Sequence, residues 1–104
     1  MILLTIDFVP GREIVGTYGL VTGSVVMSKH FGRDFMAGMK TIVGGEIKGY
    51  TEMLEDARKI AIERLIAQAT AMGADAVINL RLTSSSVMQS AAEVTAYGTA
   101  VKLN

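Results

Sequence analysis

"TEMLEDARKIAIERLIAQATAMGAD", Thr51 to Asp75, runs from Thr51 to Met72 with neither glycine nor proline, and its apolar spacing reads as one long helix. Laid out at ~100° per residue, the polar positions Glu52, Lys59, Glu63 and Thr70 share a narrow stripe, and almost everything else is apolar. Leu54, Ala57, Ala61, Leu65 and Met72 make one face, Ile62 and Ile66 a second, Ile60, Ala67 and Ala71 a third. Thr51 is the expected N-cap, with Glu52, Glu55 and Asp56 in or near the first turns, and Gly73 ends the helix. A helix lying on a single sheet needs an apolar arc of only somewhat over ~100°, so an arc this wide predicts contact with a neighbouring subunit as well as with its own sheet.

Upstream, "KTIVGGEIKGY" contains Gly44, Gly45 and Gly49. A dinucleotide loop needs a preceding strand and G-x-G-x-x-G spacing, and a nucleotide P-loop needs a lysine and a serine or threonine after its last glycine. Neither pattern is present, and "RDFMAGMKTIV", with Phe35, Met39 and Ile42 at helical spacing and Asp34 in its first turn, predicts a short helix before the glycines. The glycines therefore read as a joint between two helices.

The flanks read as strands. "ILLTIDF" alternates Ile2, Leu4, Ile6 and Phe8 against Thr5 and Asp7, and Pro10 with Gly11 ends it in a turn. Ile14 to Met27 is rich in β-branched residues but interrupted by Gly16, Gly19 and Gly23, which predicts a bent strand or two strands meeting at a kink. Beyond the long helix, "ADAVINLRLTSSS" alternates Ala76, Ile78, Leu80 and Leu82 against polar residues, "SSSVMQSAA" reads as a polar link, and Glu93 to Leu103 as a closing strand. The expected fold is α+β, helix on one face of a largely antiparallel sheet, in one domain over residues 1–104.

Composition excludes several functions. Ten basic and ten acidic residues cancel without any run of like charge, so there is no basic stripe for nucleic acid or for an anionic membrane. Cysteine is absent, which removes disulfides, thiolate nucleophiles and thiolate metal ligands. The opening "MILLTIDFVPGR" lacks the basic region of a signal peptide, and no segment approaches the ~20 apolar residues of a membrane span, so a cytoplasmic location is expected.

"VTGSVV", "GRDFMAG", "IVGGEIKGYTEMLEDAR", "AMGADAVINL" and "YGTAVKL", five motifs in order over essentially the whole chain, resemble the YbjQ-like family, whose label is "putative heavy-metal-binding". The resemblance implies a β-β-α-β-β subunit of the dodecin-like type assembled as a pentameric ring, the protein being its own partner. It implies no reaction. The metal label meets a donor set without thiolates, the ligands that soft heavy metals prefer.

The site candidates follow from what remains. His30, in the loop "SKHFG", could ligate a metal with Asp34 or Glu46, but one histidine per chain falls short of the three or four protein ligands of a zinc site unless a ring brings several copies to its axis. Met36 and Met39 are explained as core filler. Arg33, Asp34, Glu46, Tyr50 and Arg58 cluster in sequence around the helix joint, either lining a ligand pocket or pairing across a subunit boundary, with Arg58 placed inside the apolar arc. Ser84, Ser85, Ser86 and Ser90 carry no elbow motif for nucleophilic catalysis. The expectation is a homo-oligomeric binding or scaffold module for a small ligand or ion, the rival reading being an enzyme whose site forms at subunit boundaries from Arg33, Asp34, Glu46 and Tyr50.

Overall fold

A computed structural model describes residues 1–28, 48–88 and 91–104. Strands β1 (Ile2–Leu3) and β2 (Ile14–Ser28) precede helix α1 (Lys48–Ala71), and β3 (Ala76–Met88) and β4 (Ala91–Leu103) follow it. The strand, strand, helix, strand, strand order matches the expectation. The sheet runs β1-β3-β4-β2 and is largely antiparallel as expected, mixed only in that the two-residue β1 lies parallel to β3. The short helix expected over Arg33 to Val43, the loop holding His30, and the joint at Gly44 and Gly45 lie outside the described residues.

The N-terminal strand is shorter than its alternation suggested. Only Ile2 and Leu3 are regular strand, yet the chain stays beside β3 through Ile6: Leu4 N–H donates to the Val77 carbonyl, Leu80 N–H to that of Leu4, and Asn79 N–H to that of Ile6, each at 2.9 Å. The cause of the irregularity is Asn79, whose φ of 53° places it in the left-handed region, with a register shift against β4 between Ile78 and Arg81. The extra residue also breaks the expected face of β3. Ala76 and Ile78 join a cluster with Val9, Val101 and Leu103, whereas Leu80 packs with Val77 against the cluster under the helix. Ile6 and Phe8 stay exposed and Val9 is buried in their place. Pro10 and Gly11 then form the expected turn, closed by Arg12 N–H to the Val9 carbonyl at 3.0 Å, with Gly11 at the positive φ of a type II turn.

β2 is one bent strand, with register shifts between Ile14 and Gly16 and between Thr17 and Gly19. The segment read as a polar link, a loop or a hairpin end, is the end of the β3–β4 hairpin: Ser84, Ser85, Ser86, Val87 and Met88 extend β3, and β4 begins at Ala91. A run of serines hides a strand in sequence, since it offers no apolar alternation, and β4 supplies the pairing that holds it extended.

Helix α1 begins three residues before the expected cap, so Thr51 closes its first turn and no carboxylate lies in that turn. Its end is as expected. Gly73, at φ 84°, occupies the left-handed position after the helix, its N–H reaching the Thr70 carbonyl at 3.0 Å while Ala74 N–H reaches that of Ala69 at 3.1 Å, a Schellman closure. The buried stripe is Met53, Ala57, Ala61, Leu65 and Ala69, one residue in four, rather than the face through Leu54 and Met72. A spacing of four drifts ~40° per step around a 3.6-residue helix, so the stripe winds as α1 crosses β2 and β4.

Three alanines in that stripe let the helix backbone come down onto the sheet at Gly23. A Cβ at Gly23 would collide with the Ala61 carbonyl oxygen and the Leu65 amide nitrogen, both backbone atoms that no side-chain rotation can move. Gly23→Ala is therefore expected to lower stability by about 3 kcal/mol or more. Gly16→Ala, where the nearest atom is the Lys102 Cβ at 3.8 Å, should leave it within about 1 kcal/mol. Urea midpoints of the two variants check the difference.

Candidate functional site

α1 holds the sheet edge by hydrogen bonds as well as by packing. β2 is an edge strand, and Thr22 and Ser24 direct their backbone groups outward. Gln68 Oε1 accepts the Thr22 N–H at 2.7 Å, and Arg64 Nη1 donates to the Ser24 carbonyl at 2.6 Å, one on either side of Gly23. Arg64 and Gln68 are four residues apart and share a helix face, so one helix turn closes two open groups of the edge. Sequence reading passed over both residues. Their signal was a polar pair one turn apart beside the alanine stripe.

On the sheet face away from α1, cross-strand register sets polar side chains in rows. Thr22, Tyr97 and Arg81 form one row; Ser24, Thr95 and Thr83 the next; Val26, Glu93 and Ser85 a third. The Ser24 and Thr95 hydroxyls are hydrogen-bonded at 2.9 Å, and Arg81 Nη1 donates to the Thr5 carbonyl at 2.8 Å and to the Leu80 carbonyl at 2.9 Å, tying the guanidinium to the bulge at Asn79. The face can offer hydroxyl donors and acceptors, a phenol and one charge of each sign. Ser85 has Glu93 as its cross-strand neighbour, and the chain's only histidine lies outside the described residues, so no described geometry assembles a nucleophile with its base.

Of the residues singled out from sequence, His30, Arg33, Asp34 and Glu46 lie outside the described residues. Tyr50 is half-buried in the first turn of α1, and Arg58 is exposed rather than sunk in an apolar arc. Eight helical residues separate them by about 12 Å along the axis, so within one chain they do not converge on a point.

The family model described as "Putative heavy-metal-binding", YbjQ_1, matches residues 1–104. The chain belongs to that family. YbjQ_1 relatives named UPF0145 protein are 65% identical in Fervidobacterium nodosum, over 99% of this chain and 95% of that one, and 61% identical in Photobacterium profundum, over 99% and 100%. A third, from Thermotoga maritima, is 58% identical over 99% and 97%. Among solved structures, a protein of unknown function in the DUF74 family from Pediococcus pentosaceus superposes with a TM-score of 0.63, covering 100% of this chain and 98% of that one at 16% identity, a likeness of fold.

The family description raises metal binding, and the donor set tests it. Among the described residues no three His, Cys, Asp or Glu side chains gather where they could hold an ion, and the whole chain has no cysteine. The chain therefore has no thiolate for a soft heavy metal, and its described nitrogen and oxygen donors do not gather into a site. We expect chelator treatment to leave the fold intact. Any metal retained should be weakly held through nitrogen and oxygen, lost in His30→Ala and released as pH falls through the imidazole range, because protonation removes the ligating lone pair. Elemental analysis of untagged protein before and after chelation measures this.

Proposed function

We propose that the protein is a cytoplasmic homo-oligomer, a ring of five chains, that acts as a binding or scaffold module for a small ligand or ion. The observation that carries this reading is the apolar surface that the described part of a single chain leaves uncovered. Leu20, Val26 and Met88 are 67%, 60% and 62% exposed, and Ile60, Ile62 and Ile66 along the flanks of α1 are packed only on their inner sides. A second chain that covered these residues would account for a helix more apolar than its own sheet requires.

The binding role rests on what accompanies that surface. The family description speaks of binding, the sheet face carries hydroxyls and both signs of charge, and no described residues form a catalytic constellation. Arg33, Asp34, Glu46, Tyr50 and Arg58 remain the proposed ligand contacts, drawn from neighbouring chains, since Tyr50 and Arg58 lie too far apart to meet within one.

Ile66→Glu and Ile62→Glu test the reading. A carboxylate placed in an apolar contact without a partner should weaken assembly about a hundredfold or more, read as the concentration at which the light-scattering mass falls, while far-ultraviolet circular dichroism keeps its helix signal. An unchanged mass in both variants overturns the role given to this flank. An activity lost on Glu46→Gln in an oligomer of unchanged mass would favour the rival reading, an enzyme whose site forms at subunit boundaries.

A further inference from the structure

The sheet face away from α1 is covered over part of its length only. Val9, in the N-terminal segment, is buried there against Ala76, Ile78, Val101 and Leu103. Past Ile78 that cover ends, and register sets the side chains of the open part around Tyr97. Thr22 on β2 and Arg81 on β3 are its cross-strand neighbours, Thr83 follows Arg81 in the next row, and Leu20 is diagonal to it. Neighbours across strands are ~4.8 Å apart and successive rows ~7 Å apart, so one small molecule can touch all of them.

The chemistry of this group is one-sided. Arg81 carries the charge, and among the described residues its hydrogen bonds go only to neutral acceptors, the Thr5 carbonyl at 2.8 Å and the Leu80 carbonyl at 2.9 Å, both from Nη1. Two backbone carbonyls thus hold the guanidinium at one corner and leave Nε and Nη2 open. Arg12, by contrast, closes Nε and Nη2 on the Asn104 carbonyl. Opposite Arg81, where a sheet gains most from a carboxylate, stands the phenol of Tyr97, 39% exposed and itself a donor. Glu93, the carboxylate on this face, lies four residues further along β4, about 14 Å away. A held guanidinium fork, a phenolic O–H and the Thr83 hydroxyl are complementary to an oxyanion. Leu20, 67% exposed, adds apolar surface beside them.

We propose that the face around Tyr97 and Arg81 is a binding site for a small organic carboxylate. Its carboxylate pairs with Nε and Nη2 of Arg81 and accepts from the Tyr97 hydroxyl, and its apolar body extends toward Leu20. A phosphate dianion fits less well, since the site offers a single charge and sets an apolar side chain next to it. This rests on the binding reading and names the ligand's chemistry, with every contact drawn from one chain.

Titration of the full chain with benzoate, followed by nitrogen-15 and aromatic carbon-13 chemical shifts, tests it. Shifts at Arg81, Tyr97 and Thr83 should saturate at about 1 mM, with inorganic phosphate at least tenfold weaker. Arg81→Gln should weaken benzoate at least tenfold at unchanged oligomer mass, whereas Glu93→Gln should bind as the wild type does. Should Arg81→Gln fail to fold, Tyr97→Phe decides: its hydroxyl has no partner among the described residues, so the fold survives its loss while benzoate binding falls severalfold. No shift at these residues by about 50 mM benzoate, phosphate bound as tightly, or undiminished binding in the deciding variant overturns the site. Oligomer mass reads separately: a monomeric wild-type chain that binds benzoate overturns the oligomeric reading alone.

Discussion

The contact between α1 and β2 at Gly23 is the constraint on which the rest of the subunit depends. Backbone meets backbone there, Ala61 and Leu65 over a residue with no side chain, and the approach is close enough that one methyl group would end it. Small residues on the helix, Ala57, Ala61 and Ala69, allow the approach, and Leu65 fills the space between with Val21 and Val25. Burial of these apolar side chains supplies the driving force, but it is the missing Cβ that sets the depth at which the helix rides. Only at that depth can Gln68 and Arg64 reach the backbone of Thr22 and Ser24. Packing and the closure of the β2 edge are thus one feature. The price is that the same helix cannot also cover β3, which leaves that strand's far half exposed on both faces.

Much of this was legible in the sequence where the signal is local. The long helix, its glycine stop, the Pro10–Gly11 turn and the bend in β2 follow from propensity and spacing over a few residues, and each is present. What was not legible depends on distant partners. Asn79 is unremarkable in sequence, and its left-handed conformation makes sense only beside β1 and β4; with it go the irregular pairing beyond β1 and the reversal of Leu80. The serines of β3 look like a link because strand formation there is imposed by β4. Arg64 and Gln68 look like solvent residues until a strand edge is set beside them. Of the candidate site, the sequence brought together residues near the helix joint, and the two that are described, Tyr50 and Arg58, stand on different turns because closeness in sequence along a helix is distance in space.

Membership of a family and likeness of fold do not by themselves assign an activity. The YbjQ_1 match covers all 104 residues and the solved relative shares the fold at 16% identity, yet a shared fold does not carry a reaction with it. The family description speaks of heavy metals, whereas this chain has no thiolate to offer, and its described carboxylates do not cluster. What the subunit does present in quantity is surface: a strand exposed on both faces, a hydroxyl-bearing sheet face and half-covered isoleucines. Those features are what the homo-oligomeric reading proposed above would explain.

That central claim, that the single chain is an incomplete unit, is tested most directly by the mass of the untouched protein in solution. Sedimentation equilibrium on the wild-type chain at micromolar concentration and moderate salt gives the mass without assumptions about shape. The account predicts about 55 kDa, five chains of 11.1 kDa. A single species of 11.1 kDa across the micromolar range would contradict it.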